Sequence, residues 1–338
     1  MSSLVLTLTE TLRYRGSIGQ WSWVLHRVTG LGVLLFLILH VIDTSWAFFY
    51  PGLYEKAILT YQSPLFTLGE FGLVACVVYH AYNGLRIVVF DFKPEWWKHQ
   101  ARAAVGVLGL TVITLVPVFA LMVGHVLDHY SKDDVFILPL GEVLVDQLPF
   151  AVGMVLAIIA AVVFSAIAGA IMGSATHSNR KGRGSQIERF WWSYMRVSGL
   201  LIVPLVFGHL AMMHVLQGVF DLNVAGSTVV GTGGAVNSTG TAVEFVAARW
   251  NHLIAGVAVW KLFDVALLSL VSIHGFNGLR YVLTDYTMGN PILRRASIYV
   301  CIIGACVLLV VGAGALLGTI DSTAIEMAVE AQARIMGE

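Results

Sequence analysis

Apolar residues run along this chain in long, nearly unbroken stretches, and the polar residues are gathered in the gaps between them. A membrane-crossing helix needs about 20 mostly apolar residues. Seven stretches qualify, roughly 22–50, 65–91, 103–127, 149–175, 192–219, 253–283 and 297–320. The pattern predicts an all-α, polytopic transmembrane bundle of about seven spans. Basic residues cluster at Arg13 to Arg27, Arg86 to Arg102, Arg180 to Arg196 and Arg280 to Arg295, which are alternate ends of the spans. The cytoplasmic bias of Lys and Arg then predicts a cytoplasmic N-terminus and an outside C-terminus. Trp21, Trp23, Trp96, Trp97, Trp191 and Trp192 stand beside those clusters, where an interfacial aromatic belt belongs. Arg13 and Arg15 precede the first run, but that run is too long for a signal peptide and lacks a cleavage site.

The same pattern occurs twice. His80-Ala81-Tyr82-Asn83-Gly84-Leu85-Arg86 returns as His274-Gly275-Phe276-Asn277-Gly278-Leu279-Arg280, with five of seven positions identical. Eleven residues after each histidine comes Asp-aromatic, Asp91-Phe92 and Asp285-Tyr286. Upstream, Arg27-Val28-Thr29-Gly30 leads to His40 and Arg196-Val197-Ser198-Gly199 to His209, with thirteen residues from arginine to histidine in both. A fixed internal repeat of this kind marks a duplication. Two three-span repeats in direct succession would insert in opposite senses, and one additional span restores the parallel arrangement. The stretch Phe150 to Met172 has no charge or histidine and serves as that connector, ending in the polar linker His177 to Ser185. The expected organisation is 3+1+3, with a first repeat over 1–130, a connector over 131–185 and a second repeat over 186–338. The step between motif histidines is 40 residues in the first repeat and 65 in the second, and a Gly/Ser/Thr/Val-rich outside loop, Gly226 to Gly240, accounts for most of the difference.

Composition agrees with a membrane protein and narrows its chemistry. Of 338 residues 57% are hydrophobic and 12% charged, and the formal net charge is zero. Mean hydropathy is +0.80. No basic stripe is available to follow nucleic-acid phosphates. Cys76, Cys301 and Cys306 lie in apolar runs with neither haem-attachment nor iron–sulfur spacing, and read as small core residues. No Gly-rich loop of the flavin, NAD or ATP type follows a strand pattern.

An ionisable group inside a span is expensive unless protein, water or a metal satisfies it. Four of the eleven histidines, His40, His80, His209 and His274, lie in spans at repeat-equivalent positions. One intramembrane histidine is as readily a helix-to-helix hydrogen bonder as a ligand; two symmetric pairs favour ligation. At about 1.5 Å rise per residue, His80 and His274 lie about 9 Å from Arg86 and Arg280, whereas His40 and His209 lie about 20 Å from Arg27 and Arg196 on the same side. Two layers follow, each receiving one histidine from each repeat. That suits two bis-imidazole sites, and without a C-x-x-C-H sequence the group is non-covalent haem b. Gly84 and Gly278, four positions after the inner histidines, leave room for a flat macrocycle or for ordinary close helix packing. His26, His99, His177 and His252 fall at interfaces, as solvated or propionate-binding groups, and His125, His129 and His214 near the outer face. His214 rivals His209, but its repeat-equivalent position is Ser45.

At these residues the chain resembles the cytochrome b membrane anchor of succinate:quinone oxidoreductases and the related fumarate reductases. Leu25-His26-Arg27-Val28-Thr29-Gly30 resembles the H-R-x-[ST]-G signature of the larger anchor subunit, and Tyr79-His80 with Asp91-Phe92 its haem helix. His274 with Val282-Leu283-Thr284-Asp285-Tyr286 resembles the haem helix and T-D-Y ending of the smaller subunit, so the chain looks like a fusion of the two. The resemblance implies an anchor in a bacterial cytoplasmic membrane. It would dock flavoprotein and iron–sulfur subunits on the cytoplasmic face and pass their electrons to quinone, with no dicarboxylate-oxidising site of its own. By the same resemblance His80 and His274 are ligands of an inner haem b, and His40 and His209 of a second. His26, Arg27 and Arg196 are expected near propionates, and Ser22, Arg27, Asp285 and Tyr286 at a quinone site. The family's serine usually stands three positions before the signature histidine, where this chain has Trp23, with Ser22 one further away. Two-haem members commonly use menaquinone. A secondary transporter and a haemless structural anchor are the competing classes. No span is broken by Gly/Pro at matching places in both halves, since Pro117 and Pro204 are not repeat-equivalent, which speaks against the transporter.

Overall fold

The computed structural model describes residues 16–132, 135–172 and 186–337. Seven helices among these residues are long and apolar enough to cross a membrane. They are α1 (Ile18–Phe49), α3 (Pro64–Phe92), α4 (Gln100–Tyr130, entered through a 3-10 turn, Pro94–His99), α6 (Leu148–Met172), α7 (Gln186–Leu210), α9 (Val259–Tyr286) and α10 (Pro291–Leu317). The bundle is all-α, and each helix lies within several residues of its expected stretch. Helices are obligatory here because hydrocarbon offers no partner to backbone N–H and C=O groups. Large apolar side chains such as Leu108, Ile113, Val116 and Val310 point outward, as a lipid-facing surface requires. Arg13, Arg15 and the linker from His177 to Ser185 lie outside the described residues.

The interior is built by α1 packing on α3 and on α10, α7 on α9, α3 on α4, and α9 on α10. Helix α1 also meets α9, and α3 meets α7, so the first helix of each repeated motif touches the second helix of the other. Helix α6 packs chiefly against α10.

The end of the bundle opposite the basic clusters carries a cap that the apolar pattern did not foresee. Short helices α2 (Pro51–Tyr61), α5 (Leu140–Asp146), α8 (Ala242–Trp250) and α11 (Ser322–Met336) join a small hairpin of β1 (Ser227–Thr228) and β2 (Val236–Asn237). The Gly226 to Gly240 stretch, expected as a plain loop, is therefore ordered. Gly231, at φ +80°, seats the hairpin against Trp260, whose indole N–H donates to the Gly231 carbonyl at 2.7 Å. Tyr54, Ile58, Val243, Phe245, Trp250 and Ala328 form one apolar core with Ala47 and Leu316 from the spans. Glu55, 1% exposed, fastens the cap from inside: its carboxylate accepts the Ala242 and Val243 N–H groups at 3.1 and 2.8 Å, satisfying the free donors at the start of α8. The expected start of the sixth span near 253 moves to Val259, because an Ile254–Val257 bridge and Ala255 at φ 51° turn the chain first.

Candidate functional site

At the basic end the repeated motifs meet crosswise. Arg27 forms an ion pair with Asp285, and Arg196 forms the equivalent pair with Asp91. Each arginine also lies over an indole one turn earlier, Arg27 over Trp23 at 3.9 Å and Arg196 over Trp192 at 3.3 Å. Arg280 adds a two-pronged contact to Glu188 at 3.0 and 3.3 Å, while its Nε donates to the Asn277 side-chain oxygen.

One layer deeper stand His80 and His274. The Nδ1–H of His80 donates to the His26 carbonyl at 3.0 Å, which leaves Nε2 with its lone pair. His274 reaches the same state by another route. The Ser198 hydroxyl donates to the Tyr194 carbonyl at 2.7 Å, so at 2.8 Å its oxygen accepts from His274 Nδ1–H. An imidazole held through one nitrogen with the other free is how proteins present histidine to a metal. Each ring also faces the glycine that ends the Arg-Val-[ST]-Gly motif of its own repeat. A Cβ at Gly30 would stand 2.7 Å from His80 Cε1, and one at Gly199 would stand 3.5 Å from His274 Cε1. The glycine after the first-helix arginine, rather than Gly84, is thus the close approach; Gly84 lies near the His26 ring and Gly278 near Met195. The His26 ring is stacked on His80, centroids 4.0 Å apart, and its Nδ1 is buried without a partner. It is therefore packed inside the bundle end and not simply solvated.

Near the cap, His40 and His209 come together edge to face with ring centroids 5.9 Å apart. Two imidazoles bound at about 2 Å on opposite sides of one metal have centroids about 6 Å apart. His209 Nδ1 is buried without a hydrogen-bond partner. The donor sets of both layers, neutral nitrogens from two helices each, fit a bis-imidazole haem iron. His214, the rival to His209, is committed elsewhere: its Nδ1 meets Glu70 at 2.6 Å, on a widened π turn (Ala211–Leu216) that continues α7.

The remaining residues singled out in the sequence separate. Ser22 is turned to α3, where its hydroxyl donates to Asn83 at 2.8 Å and lies 3.2 Å from the Tyr79 hydroxyl. Trp23, standing where the family's serine is expected, is the residue that lies against Arg27. Tyr286, 69% exposed, ends α9 next to Asp285. Of the cysteines, Cys301 is buried, Cys76 half-buried, and Cys306 exposed on the flank of α10, so the core reading fails for Cys306. Two contributors were missed. Ser198 was visible as the [ST] of its motif but had no assigned partner; Arg249, buried in the cap, lies outside the repeat and carried no sequence signal.

The chain belongs to the succinate dehydrogenase/fumarate reductase transmembrane subunit family, whose model matches residues 8–119 and 172–312. It is 37% identical over 118 residues to the succinate dehydrogenase 2 membrane subunit SdhC of Mycobacterium tuberculosis, covering 35% of this chain and 86% of that protein. It is 29% identical over 106 residues to a succinate dehydrogenase hydrophobic membrane anchor subunit of Halobacterium salinarum, covering 30% of this chain and 82% of that protein. No solved structure gives a significant match.

Proposed function

We propose that this chain is a two-haem cytochrome b anchor. In this reading it relays electrons from flavoprotein and iron–sulfur subunits of a succinate dehydrogenase to membrane quinone, with menaquinone as the expected acceptor. The observation that carries the reading is the matched presentation of His80 and His274, each held through Nδ1 with Nε2 free. Haem b, when bound, would supply a one-electron carrier, held by His80 with His274 and by His40 with His209. The protein's part is to orient His80 and His274 in one layer and His40 and His209 in the other, and to exclude water from both. Arg27 and Tyr286 would donate hydrogen bonds to a quinone carbonyl at the basic end, with Asp285 orienting Arg27 and Ser22 behind them. Arg27, Arg196 and the unpartnered Nδ1 of His26 suit the propionates of the inner haem. The basic end, with Trp96 and Trp97 exposed beside it, is the face that would lie in the cytoplasm of the cell and receive the soluble subunits.

The test is to purify the complex with each of His40, His80, His209 and His274 replaced by alanine, and to titrate the haems optically. Two components are expected in the parent. His80→Ala and His274→Ala should remove one, and His40→Ala and His209→Ala the other. If the members of one pair lost different components, or all four variants kept two normal haems, the layered assignment would be wrong.

A further inference from the structure

Among the described residues, Arg249 is a buried cation of the cap that no ion pair explains. It stands near the end of α8 and is 7% exposed. Its Nη1 lies 3.1 Å from the Met213 sulfur, a weak acceptor, and its Nε and Nη2 are buried with no hydrogen-bond partner. Its guanidinium carbon lies 4.8 Å from the centre of the Trp260 ring. Among the described residues no carboxylate lies within ion-pair distance of it. Asp264 and Tyr54 are in electrostatic reach, but Asp264 is engaged by the Trp250 indole N–H at 3.0 Å. Burial holds the Arg249 guanidinium below its usual pKa. A buried charge with open donors is costly unless an anion completes it.

Position says which anion. Met213 follows His209 by four residues, one helical turn toward the cap, so the open donors of Arg249 stand one turn beyond the outer histidine pair. The inner layer draws on Arg27 and Arg196 of the spans themselves, whereas Arg249 is supplied by α8 of the cap. We infer that Arg249 is a carboxylate-binding site of the cap, and that its ligand is a propionate of the haem held by His40 and His209. This rests on the two-haem reading above and adds to it an anchor supplied by the cap. The cap would thereby do two things: close the outer layer to water and set the charge around one haem alone. A guanidinium beside a propionate favours the reduced iron, since it offsets the carboxylate charge that stabilises the oxidised form.

The experiment uses the complete complex carrying Arg249→Met, which keeps bulk and removes charge, or Arg249→Lys, which keeps the charge and loses the fork. Haem content and an optical redox titration are read together with the propionate bending bands in resonance Raman spectra. In Arg249→Met one haem is expected to shift at least tenfold toward the oxidised form, 59 mV for a one-electron couple, or to be lost, while the other is unmoved. Arg249→Lys should shift the same haem by less than tenfold and change a propionate band. The haem affected must be the one removed by His209→Ala. Two haems both unmoved in Arg249→Met, equal shifts of both, or a shift of the haem bound by His80 would overturn the assignment to Arg249 while leaving the two-haem reading standing. A parent complex holding a single haem would overturn both. If Arg249→Met does not assemble, an Arg249→Lys complex with unchanged potentials and unchanged propionate bands overturns the assignment.

Discussion

Arg27 on α1 pairs with Asp285 on α9, and its repeat-equivalent Arg196 on α7 pairs with Asp91 on α3, so each half of the sequence supplies the counter-ion of the other. Neither half can satisfy its own arginine in this arrangement. The exchange ties each helix that presents an inner histidine, α9 or α3, to the first motif helix of the other half.

The two pairs differ in exposure, and their energies should differ accordingly. Arg27 and Asp285 side chains are 21% and 52% exposed, whereas Arg196 and Asp91 are both 17% exposed. A double-mutant cycle with Arg27→Met and Asp285→Asn is expected to give a coupling of about 0.5–1 kcal/mol, because solvent screens the pair. The cycle with Arg196→Met and Asp91→Asn should give about 1–3 kcal/mol. Thermal unfolding of the detergent-solubilised complex measures both, and equal couplings would contradict the ranking.

Ser198→Ala removes the group that accepts His274 Nδ1–H. Partners of this kind typically contribute about 10–100-fold to metal affinity. The inner haem is therefore expected to be retained about 10–100-fold less well, with the outer haem unaffected. Haem exchange into apomyoglobin, followed optically, reads the two separately.

A methyl group at Gly30 would meet the His80 ring at 2.7 Å, while one at Gly84 would meet His26 at an ordinary 3.6 Å. Gly30→Ala should displace His80 and diminish the inner haem. Gly84→Ala should leave both haem spectra unchanged. Reversal of this order would show that the glycine in the His80 motif is the true close approach.

For the quinone site, Tyr286→Phe removes one neutral hydrogen bond and is expected to raise the apparent KM for quinone about 3- to 10-fold. Arg27→Ala removes a charged donor and should cost about 10- to 100-fold in kcat/KM. Succinate-driven quinone reduction measures both, with succinate-driven dye reduction at the soluble subunits as the control that must stay constant.

Desolvation in the cap pushes Glu55 up to about 7, above the ordinary value near 4.5. Between these values the folded cap binds more proton than the unfolded chain, so stability falls as pH rises from about 4.5 to 7 and is flat beyond. The total effect is at most about 3 kcal/mol. Glu55→Gln should flatten this slope in hydrogen-exchange measurements on α8. A slope that survives the substitution would assign it to another group.

The spans, their alternating basic ends and the repeated His-x-x-Asn-Gly-Leu-Arg pattern were legible in the chain because hydrocarbon imposes one rule on every residue it touches. Length and apolarity are local properties, and His40, His80, His209 and His274 stood out because ionisable groups are rare in such runs. The family signature likewise depends on residues adjacent in sequence. What the chain alone did not reveal depends on partners distant in sequence. The crosswise exchange of Arg27 and Arg196 between halves, the opposition of Gly30 to His80 and the use of Ser198 on His274 all require knowing which helices meet. The cap was hidden for another reason. Its helices are short, and α8 is held by a buried carboxylate 187 residues away, at Glu55, so no periodic pattern announces it. Arg249 carried no signal in the sequence, and only the packing of α8 over the end of the bundle made it a buried charge against Met213, one turn from His209.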